Sequence, residues 1–358
     1  MVTISLCMIV KNEEAVLARC LDSVREAVDE IIIVDTGSTD RTREIAAAYT
    51  DRVLDFVWVD DFSAARNFAF EQVTMDYQMW LDADDIFPDE ERQKLLALKA
   101  ALDPAVDMVT MRYHTHFNAA GRPILTSTRE RLLRRERDYR WIDPVHECIP
   151  LNGNILYSDI AVWHQKPPSE GISTRNLDIY SALERSGKPL TPRQLYYYAR
   201  ELRDHGRDAE SAERFERFLE GGLGWVEDNI AACHALAICR RRLGQERAVL
   251  PALLRSFQYA APRAEVCCEL GYCYMRQDEY GRALEWFGVA LALEPPQTLG
   301  FVQREFHDYV PLLESCVCCC RLGEFERAAD FNERAGALRP DSTAVQQNRH
   351  YLASVRGC

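Results

Sequence analysis

Apolar and polar positions along the chain fall into blocks, and the blocks predict a change of architecture near its middle. Ile4 to Val10 is a short apolar run; Glu14 to Val28 then carries Val16, Leu17, Leu21 and Val24 at helical spacing, so a strand followed by an amphipathic helix is expected. The next apolar run, Ile31 to Val34, is entirely β-branched and suits a strand buried on both faces. It ends at Asp35-Thr36-Gly37-Ser38-Thr39-Asp40, which predicts a turn and then a helix over Arg41 to Tyr49 with Asp40 as its N-cap. Val53 to Val59 reads as a third strand, Ser63 to Val73 as a helix, and Gln78 to Leu81 as a fourth strand ending in acidic residues. Strands separated by single helices predict a mainly parallel sheet, whose ligands bind beyond the carboxyl ends of its strands.

Three of those ends carry polar clusters: Lys11-Asn12-Glu13, Asp35 to Ser38, and Asp82-Ala83-Asp84-Asp85. One such cluster is an ordinary turn as often as a site, but three should converge on one place. Asp82 and Asp84, one residue apart at a strand end, can point into the same small volume, and their repulsion calls for a cation. Hard oxygen ligands favour Mg²⁺ or Mn²⁺. Asp85 reads instead as part of the acidic run that opens a helix at Pro88-Asp89-Glu90-Glu91.

Beyond Gly171 the strands vanish and Gly-centred helix pairs take over, which makes internal repetition the test. Leu270-Gly271, Tyr274, Ala283, Phe287, Ala290 and Pro295 fall at the key positions of a tetratricopeptide repeat. Cys319, Ala328, Ala335 and Pro340 repeat the spacing, with weaker units around Ala212 and Ala248, for about four helix pairs. Stacked pairs of this kind bury a continuous core and form a concave face that holds peptides or proteins. Pro295 to Pro311, with Phe301, Phe306, His307 and Tyr309, is longer than a repeat linker; it reads as an irregular inter-repeat helix or as an insertion lining an acceptor groove.

Composition narrows this picture. A chain of 358 residues, 47% of them hydrophobic, has the length and the apolar content for two cores. A net charge of -13 argues against a nucleic-acid binder, and the Arg-rich run Arg129 to Arg140 is too short to change that. No stretch reaches the roughly 20 apolar residues of a membrane span, and the apolar start carries no basic leader or small-residue cleavage site. The 13 cysteines are odd in number, none has the paired CxxC spacing of a zinc site, and those near 267–273 and 316–320 lie within helical patterns as small buried groups. A reducing compartment, the cytoplasm, is therefore expected.

Four ordered motifs resemble glycosyltransferase family 2: Met8-Ile9-Val10-Lys11-Asn12-Glu13-Glu14, Asp35-Thr36-Gly37-Ser38-Thr39-Asp40, Asp60-Asp61-Phe62-Ser63-Ala64-Ala65-Arg66-Asn67 and Trp80-Leu81-Asp82-Ala83-Asp84. The resemblance lies with the branch containing lipopolysaccharide-core glucosyltransferases and the peptide S-glycosyltransferases of glycocin biosynthesis. It implies an α/β GT-A nucleotide-sugar-binding domain over residues 1–170, a linker over 171–190, and an all-α tetratricopeptide-like helical repeat domain over 191–358.

The resemblance also implies roles. Asp35 would bind the nucleobase, Glu13 and Asp82 the nucleoside and ribose, and Arg66 or Asn67 would border the base and diphosphate. Val10, Asn12, Gly37 and Ala83 would line the same pocket. Asp84 would ligate the metal, Mn²⁺ or Mg²⁺, with Asp82 beside it and His164 as nitrogen ligand in preference to His146. The uracil imide suits a carboxylate, so a UDP-sugar is the expected donor, UDP-glucose first. In Val145-His146-Glu147, Glu147 is the first candidate for the base and Asp143 the second; Trp141 and His146 are candidate substrate contacts. The activity implied is inverting transfer to Cys, Ser or Thr of a peptide or protein held by the repeats, which also offer a surface for a homodimer. The alternatives are a glucosyltransferase acting on a lipid-linked or surface saccharide, and a scaffold whose transferase domain is degenerate.

Overall fold

The computed structural model describes residues 1–118, 121–166 and 173–356. The chain divides into two compact units, Met1–Ala182 with Thr298–Phe301, and Leu183–Gln297 with Val302–Cys358.

The first unit alternates strands and helices: β1 (Ile4–Val10), α1 (Leu17–Val24), β2 (Glu30–Asp35), α2 (Thr42–Ala47), β3 (Val53–Asp55), α3 (Phe62–Phe70), β4 (Tyr77–Trp80), β5 (Asp85–Ile86), α4 (Asp89–Ala101), β6 (Met108–Phe117), β7 (Pro123–Arg134), β8 (Ile155–His164) and α5 (Arg175–Arg185). Its strands run in the spatial order 3-2-1-4-7-6-8-5. The β1, β2, β3 and β4 pairings are parallel, as the single-helix connections require. The expectation of a mainly parallel sheet fails beyond β4, because β7 lies antiparallel to both β4 and β6 and β5 antiparallel to β8. Residues 118–122, between β6 and β7, are too few for a crossover, so the chain returns antiparallel.

Burial alternates along the central strands and builds a core on each face. Ile4, Leu6, Met8 and Val10 of β1 and Ile33 of β2 pack with Leu17, Leu21 and Val24 of α1. Cys7, Ile32, Val34 and Trp80 face the other way, against Ala69 and Phe70 of α3 and Trp141. The run Ile32, Ile33 and Val34 is therefore fully buried on both faces, as its β-branched composition predicts. The helix after β2 starts at Thr42 with Arg41 as its N-cap, one residue later than expected, although Asp40 accepts the Thr42 amide at 3.0 Å and the Glu14 amide at 3.1 Å. Residues 171–190, expected as a linker, contain α5; 171–172 lie outside the described residues.

The second unit consists of α6 (Pro192–Asp204), α7 (Asp208–Gly221), α8 (Val226–Arg242), α9 (Glu246–Arg255), α10 (Ala264–Met275), α11 (Tyr280–Ala292), α12 (Tyr309–Arg321), α13 (Phe325–Leu338) and α14 (Thr343–Arg356). The first eight make four antiparallel pairs. Their small residues lie at the closest approaches: Ala283, Ala290, Ala328 and Ala335 are fully buried, and Ala212 nearly so, while Ala248 is half-buried. Within Pro295 to Pro311, Arg304–His307 form a 3-10 turn and α12 already begins at Tyr309. Cys267, Cys268, Cys316, Cys318 and Cys319 are fully buried, and burial pushes the Cys316 and Cys318 thiols up to about 12. They pack as small apolar groups. Among the described residues no helix is long and apolar enough to cross a membrane.

Gly271 marks a close approach within a pair, since a Cβ there would stand 2.7 Å from the Phe287 ring. Alanine would gain about 1 kcal/mol in helix propensity but force an overpacked contact costing about 1–3 kcal/mol. Gly271→Ala is expected to lower the denaturant midpoint of the full chain, and Phe287→Leu in the same chain to restore part of the loss. A higher midpoint for the single variant would contradict this packing account.

Candidate functional site

The three polar strand ends meet. The Thr36 amide donates to the Val10 carbonyl at 3.0 Å, which fixes the two loops side by side at the ends of β1 and β2. Asn12, in a left-handed conformation with φ 57°, receives the Thr39 amide at 2.8 Å and gives its own amide to Ser38 Oγ at 3.0 Å. The Glu13 amide donates to Thr42 Oγ1 at 2.7 Å. Asp35 is buried and accepts from the Gly37 amide at 3.2 Å, the Ser38 amide at 3.1 Å and Arg43 at 3.3 Å. Burial alone would raise its pKa, but the bonds from Ser38, Gly37 and Arg43 bring it below the ordinary value. Gly37 has φ 105°, open to glycine and strained for other residues.

After β4 the backbone turns through Asp82, Ala83 and Asp84. Asp82 Oδ1 accepts from Arg66 Nη2 at 2.7 Å, and Arg66 Nε donates to Glu147 Oε1 at 2.6 Å. One guanidinium thus bridges a strand-end carboxylate to the candidate base. Arg66 is itself buried between two indoles, 5.1 Å from the Trp80 ring and 4.8 Å from Trp141. Burial would raise the Asp82 pKa, yet Arg66 and Arg131 hold it down at about 2. Glu147 Oε2 has no hydrogen bond among the described residues.

Asp85, expected as a helix-starting residue, is instead the hub beneath the site, and that expectation is corrected. Its side chain and that of Arg131 are both fully buried and 2.9 Å apart. Asp85 also accepts from the Asp82 amide at 3.0 Å and from the Tyr113 hydroxyl at 2.9 Å, and lies 3.1 Å from His164 Nδ1. Asp84 Oδ1 approaches the same nitrogen at 3.2 Å. Burial would lower the His164 pKa, but the bonds to Asp84 and Asp85 raise it to about 10, as expected of a ring whose Nδ1 faces two carboxylates.

Ligand atoms of Asp84, Asp85 and His164 lie within 4.8 Å of one another. Two carboxylates and an imidazole suit Mn²⁺ or Mg²⁺. Asp85 is already committed to Arg131, Tyr113 and the Asp82 amide, which leaves Asp84 as the freer carboxylate of the three, with His164 Nδ1 beside it. The charge balance points the same way. Burial and the neighbouring Asp84, Asp82 and Asp40 push Glu13 up from 4.5 to about 7, against a small opposing effect of Lys166.

The remaining expected residues fall around this centre with different duties. Val10 and Ala83 are buried. Both polar atoms of Asn67 serve the main chain of Trp141, donating to its carbonyl at 3.0 Å and accepting its amide at 2.9 Å. Trp141 is buried and packs edge-on to Trp80 at 4.9 Å, which makes it part of the wall. Asp143 and His146 share a loop with Glu147, both in left-handed conformations with φ 73° and 53°. Sequence reasoning missed Arg131 and Tyr113; the position of Arg131 directly before Leu132-Leu133 was the local signal of a charge drawn into the core.

Residues 5–158 match the model of "Glycosyl transferase family 2", and residues 264–296 that of the tetratricopeptide repeat. The chain is 31% identical over 297 residues to a TPR repeat-containing protein of Synechococcus elongatus, covering 81% of this chain and 66% of that one. It is 28% identical over 230 residues to the SPbeta prophage-derived glycosyltransferase SunS of Bacillus subtilis, covering 61% and 53%. To the lipopolysaccharide core biosynthesis glycosyltransferase LpsC of Rhizobium meliloti it is 32% identical over 160 residues, covering 42% and 58%. The chain thus spans between about half and two thirds of the length of these curated relatives.

Glu13 supplies a test of the charge crowding. Its folded-state pKa is raised, so the stability it contributes is complete below 4.5 and is lost as pH rises through about 7. For this half-buried group the loss is about 1–2 kcal/mol once water screening is allowed for. In the absence of divalent cations, Glu13→Gln is expected to melt about 2–4 °C above the parent at pH 8 and to match it at acidic pH. Equal melting at both pH values would mean that the carboxylates do not repel as described.

Proposed function

The chain carries a family 2 glycosyltransferase domain with a tetratricopeptide repeat behind it, and on that premise we propose that it transfers a sugar, with inversion, from a UDP-sugar to a side chain of a peptide or protein. The observation that supports this reading is the cluster of Asp84, Asp85 and His164, whose ligand atoms lie within 4.8 Å of one another, with Asp82 and Glu13 beside it. A divalent cation bound there would neutralise the diphosphate as it leaves.

In this reading Asp84 and His164 would hold the cation, which requires His164 to bind it in the deprotonated form. Asp35 receives the uracil imide, and the Asn12, Glu13, Gly37 and Ala83 loops form the floor under the nucleoside. The acceptor atom attacks the anomeric carbon as the bond from that carbon to the β-phosphate oxygen breaks, and UDP departs with the electron pair. Glu147 takes the acceptor proton on Oε2, while Arg66 keeps Oε1 and the carboxylate in place. Asp143, in the same loop, is the second candidate for the base. UDP-glucose is the first donor to test.

A peptide or protein acceptor is favoured by the four helix pairs of the second unit, because stacked pairs of this kind present extended binding faces. A saccharide acceptor is the second reading, favoured by the 32% identity to LpsC over 160 residues.

The experiment is intact-mass analysis of candidate acceptor peptides and core saccharides after incubation with Mn²⁺ and a panel of UDP-sugars. Asp84→Ala is expected to abolish both transfer and cation-dependent UDP binding. Glu147→Gln should retain UDP binding while turnover falls about 10²- to 10⁴-fold, because the amide keeps the shape but cannot take the proton. Unchanged turnover in Asp84→Ala would overturn the cation site; loss of UDP binding in Glu147→Gln would make Glu147 a binding residue.

A further inference from the structure

The loop that presents Glu147 is short, strained and tied from outside. Ile142 and Cys148 close it with a reciprocal pair of main-chain hydrogen bonds of 2.9 and 3.1 Å. Between them Asp143 and His146 both adopt left-handed backbone, which costs a residue with a Cβ about 1–3 kcal/mol unless the surroundings impose it. Such a loop keeps its shape only through its tethers.

Two tethers come from α3: the Phe62 amide donates to the Pro144 carbonyl at 2.8 Å, and Arg66 holds the Glu147 carboxylate. The third comes from α5. The Tyr180 hydroxyl donates to the Val145 carbonyl at 3.1 Å, and the Tyr180 ring lies parallel to the His146 ring at 6.2 Å. Tyr180 is fully buried and Val145 nearly so, so this bond is made away from water, where a lost partner is not replaced. A few residues earlier on α5, the Arg175 guanidinium covers the Phe62 ring at 4.5 Å. The helix therefore braces the loop directly through Tyr180 and the start of α3 through Arg175.

We infer that Tyr180 is a positioning residue for Glu147, and that α5 is a working part of the catalytic unit. The inference rests on the transferase reading and on Glu147 as its base. Tyr180 touches neither donor nor acceptor; its hydroxyl fixes the Val145 carbonyl, and with it the direction in which the strained backbone delivers Glu147 two residues on. A base works only within hydrogen-bond reach of the proton it takes, and a displacement of about 1 Å can cost on the order of 100-fold in rate. No residue outside the loop other than Tyr180 is seen to take the Val145 carbonyl among the described residues.

The test uses the full chain and Mn²⁺-dependent hydrolysis of UDP-sugars, which needs no identified acceptor because water supplies the proton. Tyr180→Phe keeps the ring against His146 and removes only the hydroxyl. It is expected to lower kcat about 10- to 100-fold while the KM for the donor and the UDP affinity measured by calorimetry stay within about twofold. Combined with Glu147→Gln, it should add no further loss, because there is then no base left to position. An unchanged kcat, a parallel loss of UDP affinity, or full additivity with Glu147→Gln would each overturn the inference. Should Tyr180→Phe fail to fold, Arg175→Met, at the exposed end of the same brace, is expected to lower kcat severalfold with donor KM unchanged, and an unchanged kcat there has the same force. Absence of hydrolysis and of UDP binding in the parent protein would instead contradict the transferase reading itself.

Discussion

Carboxylate crowding at the carboxyl edge of the sheet is the constraint around which the first unit is organised. Glu13, Asp82, Asp84 and Asp85 come from the ends of β1 and β4, and Glu147 joins them from a loop. Three guanidiniums answer them around a single indole: Arg131, Arg129 and Arg66 lie 3.7, 4.9 and 5.1 Å from the Trp80 ring. Arg131 neutralises Asp85, Arg66 serves Asp82 and Glu147, and Arg129 pairs with Glu130 at 3.1 Å. His164 Nδ1 lies 3.2 Å from Asp84 and 3.1 Å from Asp85. Among the described residues no guanidinium pairs with Glu13 or Asp84, and a divalent cation would complete the balance.

This arrangement ties the deep parts of the site to one another. Breaking a buried pair such as Arg131 and Asp85 leaves an uncompensated charge, at a cost of about 3–5 kcal/mol, so the hub holds one geometry. Asp85 in turn fixes the Asp82 amide, the Tyr113 hydroxyl and the His164 ring. Asp84, Asp85 and Tyr113 all face the same His164 nitrogen, Nδ1, so a cation that took the place of its proton would enter between two carboxylates. The second unit meets a different constraint, the close approach of paired helices, and satisfies it with Gly271 and buried alanines.

Much of this was legible in the sequence because it is local. The β-branched run at Ile31 to Val34, the polar strand ends and the small residues of the helix pairs each announce themselves within a few positions. What escaped the sequence is non-local. Asp85 looks like a helix opener beside Pro88 and becomes a hub only when β7 brings Arg131 and β6 brings Tyr113 to it. The antiparallel entry of β7 was not foreseen because periodicity reports a strand without its direction. Asn67 sits in a motif beside Arg66, yet its amide turns to the Trp141 main chain, 74 residues away. Helix α5 was read as linker, since its polar sequence carries only Leu177, Ile179 and Tyr180 as buried residues.

The account stands or falls on whether the acidic edge of the sheet is a cation-assisted diphosphate site. The most direct measurement is calorimetric titration of the full chain with UDP, with Mn²⁺ and with chelator, in buffers of differing ionisation enthalpy. The predicted result is UDP binding that is at least tenfold tighter with Mn²⁺, accompanied by release of about one proton as His164 gives up its own. UDP affinity that is the same with chelator as with Mn²⁺, or cation uptake with no proton released, would contradict it.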